Sequence, residues 1–257
     1  MTLRVPYISD ETIERDAEAL LAQYAHATGL EMKAPIPIED MVEKHLKLRV
    51  EFDDLHRLLG VPRGGCGVEP DIFGAIWLET GEIVIDESLD PEERPSIEGC
   101  YRFTLAHEGG GHGRLHRPLV LANSGQGSLL GDGPRPTVVC RSSQAKERVE
   151  LQADLYALCL LMPRKLILQA WRDYYGNLQP FLFDWERSSS FNPGLSINGE
   201  EVTEKNAHVL ADFDFRDVAR PFAGQYGVSV QAMSIRLEKL GLLLRSRPKQ
   251  QSLIDFA

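Results

Sequence analysis

The residues best equipped for chemistry lie together in Tyr101–Pro118, YRFTLAHEGGGHGRLHRP. The stretch opens apolar with Phe103, Leu105 and Ala106, then presents His107, Glu108, His112 and His116. Imidazole nitrogens hold Zn²⁺, and an adjacent carboxylate can take a proton from metal-bound water. This is the donor set of zinc-dependent hydrolysis, short of a third ligand from elsewhere in the chain. Its spacing is unusual. Where H-E-x-x-H has two residues, this chain has three glycines, Gly109, Gly110 and Gly111.

The extra residue matters because of helix geometry. An i→i+4 step in an α-helix leaves two side chains about 40° apart, whereas i→i+5 leaves them about 140° apart. Three arrangements are open. In the first, a π-type bulge adds one residue to the turn and brings His107 and His112 back to one ion. Glycines tolerate that distortion, although each costs roughly 1 kcal/mol against Ala in a helix. Zinc coordination, on the order of 10 kcal/mol, outweighs the loss. In the second, Glu108, His112 and His116, each four apart, form the set without a bulge. In the third, the site is broken and binds nothing.

A second segment supplies the missing ligand. Glu147, Glu150 and Asp154 fall within an otherwise apolar helical pattern that includes Val149, Leu151, Ala153, Leu155, Ala157 and Leu158. A carboxylate on a mostly buried helix needs a partner, since an isolated buried charge is very costly. Glu150 and Asp154 are four apart and share a face. That suits Glu150 as third metal ligand, with Asp154 orienting a ligand histidine. The alternative is that Glu147 and Glu150 pair with Arg148 or Lys146 on a wet face, which explains Glu147 well and Glu150 less well. Tyr156, His116 and His208 are candidates to stabilise an oxyanion.

The elements that must carry these groups follow from periodicity and breakers. Residues 10–28 form an amphipathic helix, with Asp10 as cap, Ile13, Ala17, Leu20, Leu21 and Tyr24 on one stripe, and Gly29 as stop. A short helix is expected at Glu39–His45 and a strand at Lys47–Phe52. Residues 60–71 are loop, and Gly74–Leu78 with Glu82–Asp86 form a β-hairpin around Glu79-Thr80-Gly81. The central helix starts near Glu98 and is expected to end at Pro118. Residues 122–136 are loop, Thr137–Arg141 an edge strand, and Ser143–Leu161 and 164–175 helices. The expected divisions are a catalytic-type domain over 1–183, a linker over 184–208 and a helical unit over 209–257.

Composition bounds the alternatives. The chain has 257 residues, 43% of them hydrophobic and 26% charged, which is enough for a sizeable core plus a smaller unit. A net charge of −10 argues against a broadly basic nucleic-acid or membrane surface. Cys66, Cys100, Cys140 and Cys159 are scattered without a C-x-x-C pair and fit reduced, structural thiols. The N-terminal residues show no apolar signal core, and no stretch approaches 18 apolar residues, so a cytoplasmic location is expected.

Taken together, Tyr101-Arg-Phe-Thr-Leu-Ala-His-Glu108, His112, Leu115-His116, Glu150-Leu-Gln-Ala-Asp154-Leu-Tyr-Ala157 and Leu160-Leu-Met-Pro163 closely resemble the ImmA/IrrE-type zinc metallopeptidases. The hairpin segments Gly74-Ala-Ile-Trp77 and Glu82-Ile-Val-Ile85 belong to the same likeness, as does Val228–Gly241 near the C-terminus. The one departure is the residue added between Glu108 and His112. The resemblance implies a zincin-like α+β core with a small sheet beside the two site helices. It implies His107, His112 and Glu150 as Zn²⁺ ligands, Glu108 as general base and His116 near the site. It further implies a cytoplasmic endopeptidase that cleaves helix-turn-helix repressors of stress or mobile-element genes. Two functional classes stay open: such a peptidase, or an inactive relative that binds a regulator or DNA without cutting.

The C-terminal part has its own pattern. Asp217–Leu244 suggests a helix to about Tyr226, a Gly227-Val228-Ser229 turn and a second helix ending at Gly241, in the manner of a helix-turn-helix. Arg236 and Lys239 on the second helix are its candidate DNA contacts. The acidic balance of the chain favours packing or a protein partner over DNA.

Overall fold

The computed structural model describes residues 5–61, 72–124, 138–141, 147–182, 196–197, 200–201 and 207–244. For 123–124, 138–141, 182, 196–197, 200–201 and 207–215 it describes the backbone alone. The architecture is α+β, mostly helical with a small four-stranded sheet. The chain divides into two compact units, residues 1–166 with 225–229, and residues 167–224 with 230–257. The expected linker at 184–208 lies largely outside the described residues, as do the loop at 60–71 and most of 122–136.

In the first unit, helix α1 (Asp10–Thr28) buries Ile13, Ala17, Leu20, Leu21 and Tyr24, the expected stripe. Its cap is Ser9 rather than Asp10, because the Ser9 hydroxyl accepts from the Thr12 amide. Gly29 closes the helix in the left-handed conformation, φ +71°. A short turn α2 (Ile38–Asp40) passes directly into a π-helical stretch, Met41–His45. Strand β1 (Arg49–Asp53) and the short helix α3 (Leu55–Leu59) follow. Helix α3 has no apolar period of its own in the sequence. Asp54 caps it, and the buried Asp86 accepts from the Leu55 amide.

Strands β2 (Ile72–Trp77) and β3 (Glu82–Asp86) form the expected hairpin, with Gly74 opposite Ile85 and Ile76 opposite Ile83. Gly81 takes φ +78° in its turn, a value L side chains rarely adopt. Strand β1 lies parallel to β3, and β4 (Val138–Arg141) lies antiparallel to β2, giving the order β1-β3-β2-β4. Leu55, Ile72, Ala75 and Val84 form an apolar cluster beneath α3, with Trp77 packed at its margin.

The central helix differs from expectation at both its middle and its end. It begins as α4 (Glu98–Leu105), turns into a π-helix over Ala106–His116, and continues as α5 (Arg117–Ser124). The histidine spacing asks for a single bulge, whereas eleven residues are π-helical. Pro118 does not end the helix. The Arg117 amide still donates to His112 O, five residues back, so Pro118 falls in the first turn after the ladder changes step. A proline's missing donor is tolerated in a first turn. Helix α6 (Arg148–Leu161) lies against the π-helix and is itself covered by α1.

The second unit includes most of α7 (Arg164–Tyr175), strand β5 (Phe181–Leu182), the strand pair β6 (Ser196–Ile197) and β7 (Glu200–Glu201), helices α8 (Ala207–Tyr226) and α9 (Val230–Lys239), and β8 (Leu243–Leu244). Helix α8 starts well before the expected Asp217 and runs through Pro221. Trp171 stacks on Phe222 with ring centroids 5.5 Å apart, and the Trp171 indole donates to Gln179 O. Strands β5 and β8 pair in parallel. Arg236, a candidate DNA contact in the less favoured reading, is buried. Cys159 is buried and Cys100 half-buried, while Cys66 lies outside the described residues. Among the described residues, no helix is long and apolar enough to cross a membrane.

Candidate metal centre

The three glycines are required by what surrounds them. A Cβ on Gly109 would stand 2.5 Å from Val42 Cγ2, and one on Gly111 would stand 2.5 Å from the Ala153 Cα. The second contact is with main chain and cannot be relieved by turning a side chain. The π-helix is thus pressed between Val42 of the shorter π stretch and Ala153 of α6. Such close approach accounts for glycine where a helix would otherwise prefer Ala.

This winding brings together what a regular helix would separate. His107 Nε2 and His112 Nε2 lie 3.1 Å apart, both rings fully buried. Glu150 reaches across from α6, with Oε2 3.2 Å from His107 Nε2 and Oε1 3.5 Å from His112 Nε2. Among the described residues, these three side chains are the group whose ligand atoms converge closely enough to hold a metal ion. Donors of one tetrahedral ion with bonds near 2 Å keep separations of about 3.3 Å, close to those found. The alternative set does not assemble, because the Glu108 carboxylate is not part of the group. Glu108 instead lies against the sheet, its carboxylate beside Gly74 of β2, while His107 and His112 meet Glu150 of α6.

The surroundings of each ligand are specific. Asp154 Oδ1 accepts from His107 Nδ1 at 3.0 Å, so a neutral His107 keeps a bare Nε2 facing the group. His112 Nδ1 lies 3.0 Å from His116 Nδ1, and His116 Nε2 lies 3.0 Å from Gln152 Oε1. Burial holds His112 well below its ordinary pKa, helped by the neighbouring His107 and His116, and burial also lowers His116. Both therefore favour the neutral form that binds metals. The group is reached past Glu150 and Asp154, whose side chains are 16% and 22% exposed.

Glu108 has a different setting. It is fully buried, its two carboxylate oxygens have no hydrogen-bond partner, and burial pushes its pKa up to about 8. A Cβ on Gly74 of β2 would stand 3.0 Å from Glu108 Oε1 and 2.8 Å from Thr104 Cγ2, so glycine at 74 is what leaves room for this carboxylate. An uncompensated buried carboxyl costs free energy and belongs to functional sites more often than to cores.

Of the other expected residues, Tyr156 is committed elsewhere, donating to Asp16 Oδ2 at 2.8 Å. Arg114 joins the same Asp16. The His208 side chain lies outside those described. Leu151, expected on the apolar face of α6, is 57% exposed, and Gln152 takes the inward place. Sequence reasoning misses Gln152, because an uncharged amide inside an apolar run carries no signal. Its nearness to Glu150 and Asp154 is the only hint. Comparison with protein-family models, with curated proteins and with solved structures finds no match to this chain.

Proposed function

We propose that this protein is a zinc-dependent endopeptidase that acts on a regulatory protein, such as a helix-turn-helix repressor. The observation that carries the reading is the convergence of His107, His112 and Glu150, with the unpartnered carboxylate of Glu108 next in sequence to a ligand. Two neutral imidazoles and one carboxylate are the donor set of catalytic zinc sites, which keep a position for water or substrate. Bound Zn²⁺ would supply an acidified water and polarise a carbonyl. The chain's own residues have separable tasks. His107, His112 and Glu150 would hold the ion, and Asp154 orients His107 by accepting from its Nδ1. Glu108, whose oxygens are uncommitted to other protein donors, would be the base that takes up the water's proton and returns it to the leaving amine.

A second reading has its own support. Glu108 is fully buried against β2, which limits the access of water to it. On that reading the protein holds zinc and binds its regulator without cutting. DNA is the less favoured partner for either reading, given the net charge of −10 and the burial of Arg236.

Elemental analysis and a cleavage assay test the proposal together. The purified protein is expected to contain about one zinc per chain. Incubated with a pool of denatured proteins, it should generate new N-termini detectable by mass spectrometry. A chelator and Glu108→Gln should each abolish them, the variant with its zinc retained. Zinc without cleavage supports the second reading, and absence of zinc rejects both.

A further inference from the structure

The glycines that let the π-helix and α6 approach also strip their contact of ridges. Gly111 meets the main chain of Ala153, and a Cβ on Gly110 would stand 2.9 Å from Cδ1 in the flat ring of Tyr156. Helices ordinarily lock together by setting side-chain ridges into grooves. Here Gly111 offers no side chain and Ala153 a single methyl group, so packing at that point resists sliding weakly. A slide of one residue is about 1.5 Å, whereas metal–ligand distances hold to about 0.2 Å. Keeping Glu150 against His107 and His112 therefore calls for directional bonds to both helices.

A third helix supplies them. Asp16 on α1 accepts through Oδ2 from Tyr156 Oη of α6 at 2.8 Å and from Arg114 Nε of the π-helix at 3.3 Å. Its Oδ1 accepts from Arg114 Nη2 at 3.3 Å, so the guanidinium fork engages both oxygens. Asp16 is carried beside the buried stripe of Ile13, Ala17 and Leu20, which makes α1 a fixed base. The segment leading into α1 adds a further bond, as Pro6 O accepts from Gln152 Nε2 of α6 at 3.0 Å.

We propose that Asp16 is a positioning residue: by bonding to Arg114 and Tyr156 at once, it holds the π-helix and α6 in the alignment at which His107, His112 and Glu150 meet. The inference rests on the metal-centre reading above and extends it to a residue on neither ligand-bearing helix. The bridge works only with both arms in place. Cutting one arm should release the alignment as fully as removing Asp16 itself. An ion pair that merely adds to stability would behave differently, since its loss would lower the melting temperature and leave the metal group as it was.

The test compares variants of the full chain. Asp16→Ala removes both arms. Tyr156→Phe cuts the α6 arm by one hydroxyl and keeps the ring against Gly110, so it serves even if Asp16→Ala does not fold. Ala22→Gly, at an exposed position of α1, weakens that helix without touching the bridge and is the control for stability alone. Asp16→Ala and Tyr156→Phe are each expected to weaken Zn²⁺ binding, measured against a chromophoric chelator, about tenfold. The double variant should lose no more than Asp16→Ala. The visible bands of Co²⁺-loaded protein report ligand geometry, and they should shift in both bridge variants and match the parent in Ala22→Gly. The proposal is overturned if either bridge variant holds Zn²⁺ as tightly as Ala22→Gly, if both keep the parent's Co²⁺ spectrum, or if the two losses add in full. A parent that takes up neither metal rejects the metal-centre reading instead. The alignment is then judged by amide hydrogen exchange of the metal-free protein, where Tyr156→Phe should speed exchange several-fold over Ala106–His116 and Arg148–Leu161 relative to Ala22→Gly. Equal rates there overturn it.

Discussion

His107 and His112 stand five residues apart on a π-helix, whereas Glu150 and Asp154 stand four apart on the regular helix α6, and all four side chains meet. On the π side the focus is made by the backbone, which is held in place by glycines pressed against Val42 and Ala153. On the α6 side it is made by side chains alone, which leave an ordinary helix at its usual spacing and remain partly exposed. Changes on the π side should therefore be felt as folding free energy, and changes on the α6 side as metal affinity.

The largest effect is expected at Gly111. Gly111→Ala sets a methyl group 2.5 Å from the Ala153 Cα, a contact that only movement of α6 can relieve. A loss of about 3 kcal/mol or more is expected, lowering Tm by on the order of 10 °C. Thermal unfolding of chelator-treated protein measures it. A variant that melts with the parent would mean that the π side is not held as tightly as the packing implies.

Glu108→Gln should act on folding in the opposite direction. Burial raises the folded-state pKa to about 8 from an ordinary 4.5. Below the ordinary value the carboxyl is protonated folded or unfolded and contributes no difference. Between the two values folding takes up a proton, so the parent loses stability as pH rises through this window, and above about 8 the penalty is constant. The glutamine variant escapes that loss. In chelator-treated protein it should be more stable than the parent by a few kcal/mol at pH 8, with the gap closing toward pH 4.5. A gap that is flat with pH would show that the carboxyl is paired after all.

On the other helix, Glu150→Ala should lower zinc affinity by on the order of 100-fold or more while leaving the Tm of chelator-treated protein nearly unchanged. Asp154→Asn should weaken zinc about 10- to 100-fold, because the amide can still meet His107 Nδ1 through its oxygen but no longer carries charge. Chelator competition and unfolding of the same samples separate the two quantities. If either α6 variant melts far below the parent without metal, the division of labour between the helices fails.

The two sides also differ in how much of them the sequence makes legible. Glu150 and Asp154 stand out because carboxylates four apart in an apolar run need a common partner to offset their desolvation. The hairpin and α1 stand out because their periods are strong. The need for π winding is legible from the His107–His112 spacing, but its eleven-residue extent is not, since Val42 and Ala153 lie far away in sequence. The same long-range packing makes Pro118 look like an end, when it stands in the first turn beyond the π-helix. Arg236 looks solvent-facing because a basic residue on a short helix usually is, yet it is buried. Gln152 and Pro6 become visible only through their hydrogen bonds.

The smallest expected effect is the one that isolates the cause. Gly224 also lies in a helix, near the end of α8, but a Cβ there meets nothing within 4 Å. Gly224→Ala reduces the conformational freedom of the unfolded chain and adds no contact, so it should raise stability, by about 0.5 kcal/mol. Gly111→Ala gains the same entropic benefit and must overcome it to destabilise. The difference between the two variants, measured in one denaturant series, therefore reports the packing of Gly111 on Ala153 with the intrinsic preference of Ala for helix removed. Opposite signs would place the cost in that contact. If both variants were instead stabilised, the π-helix would have space to accept a side chain, and its winding would need a cause other than the pressure of its neighbours.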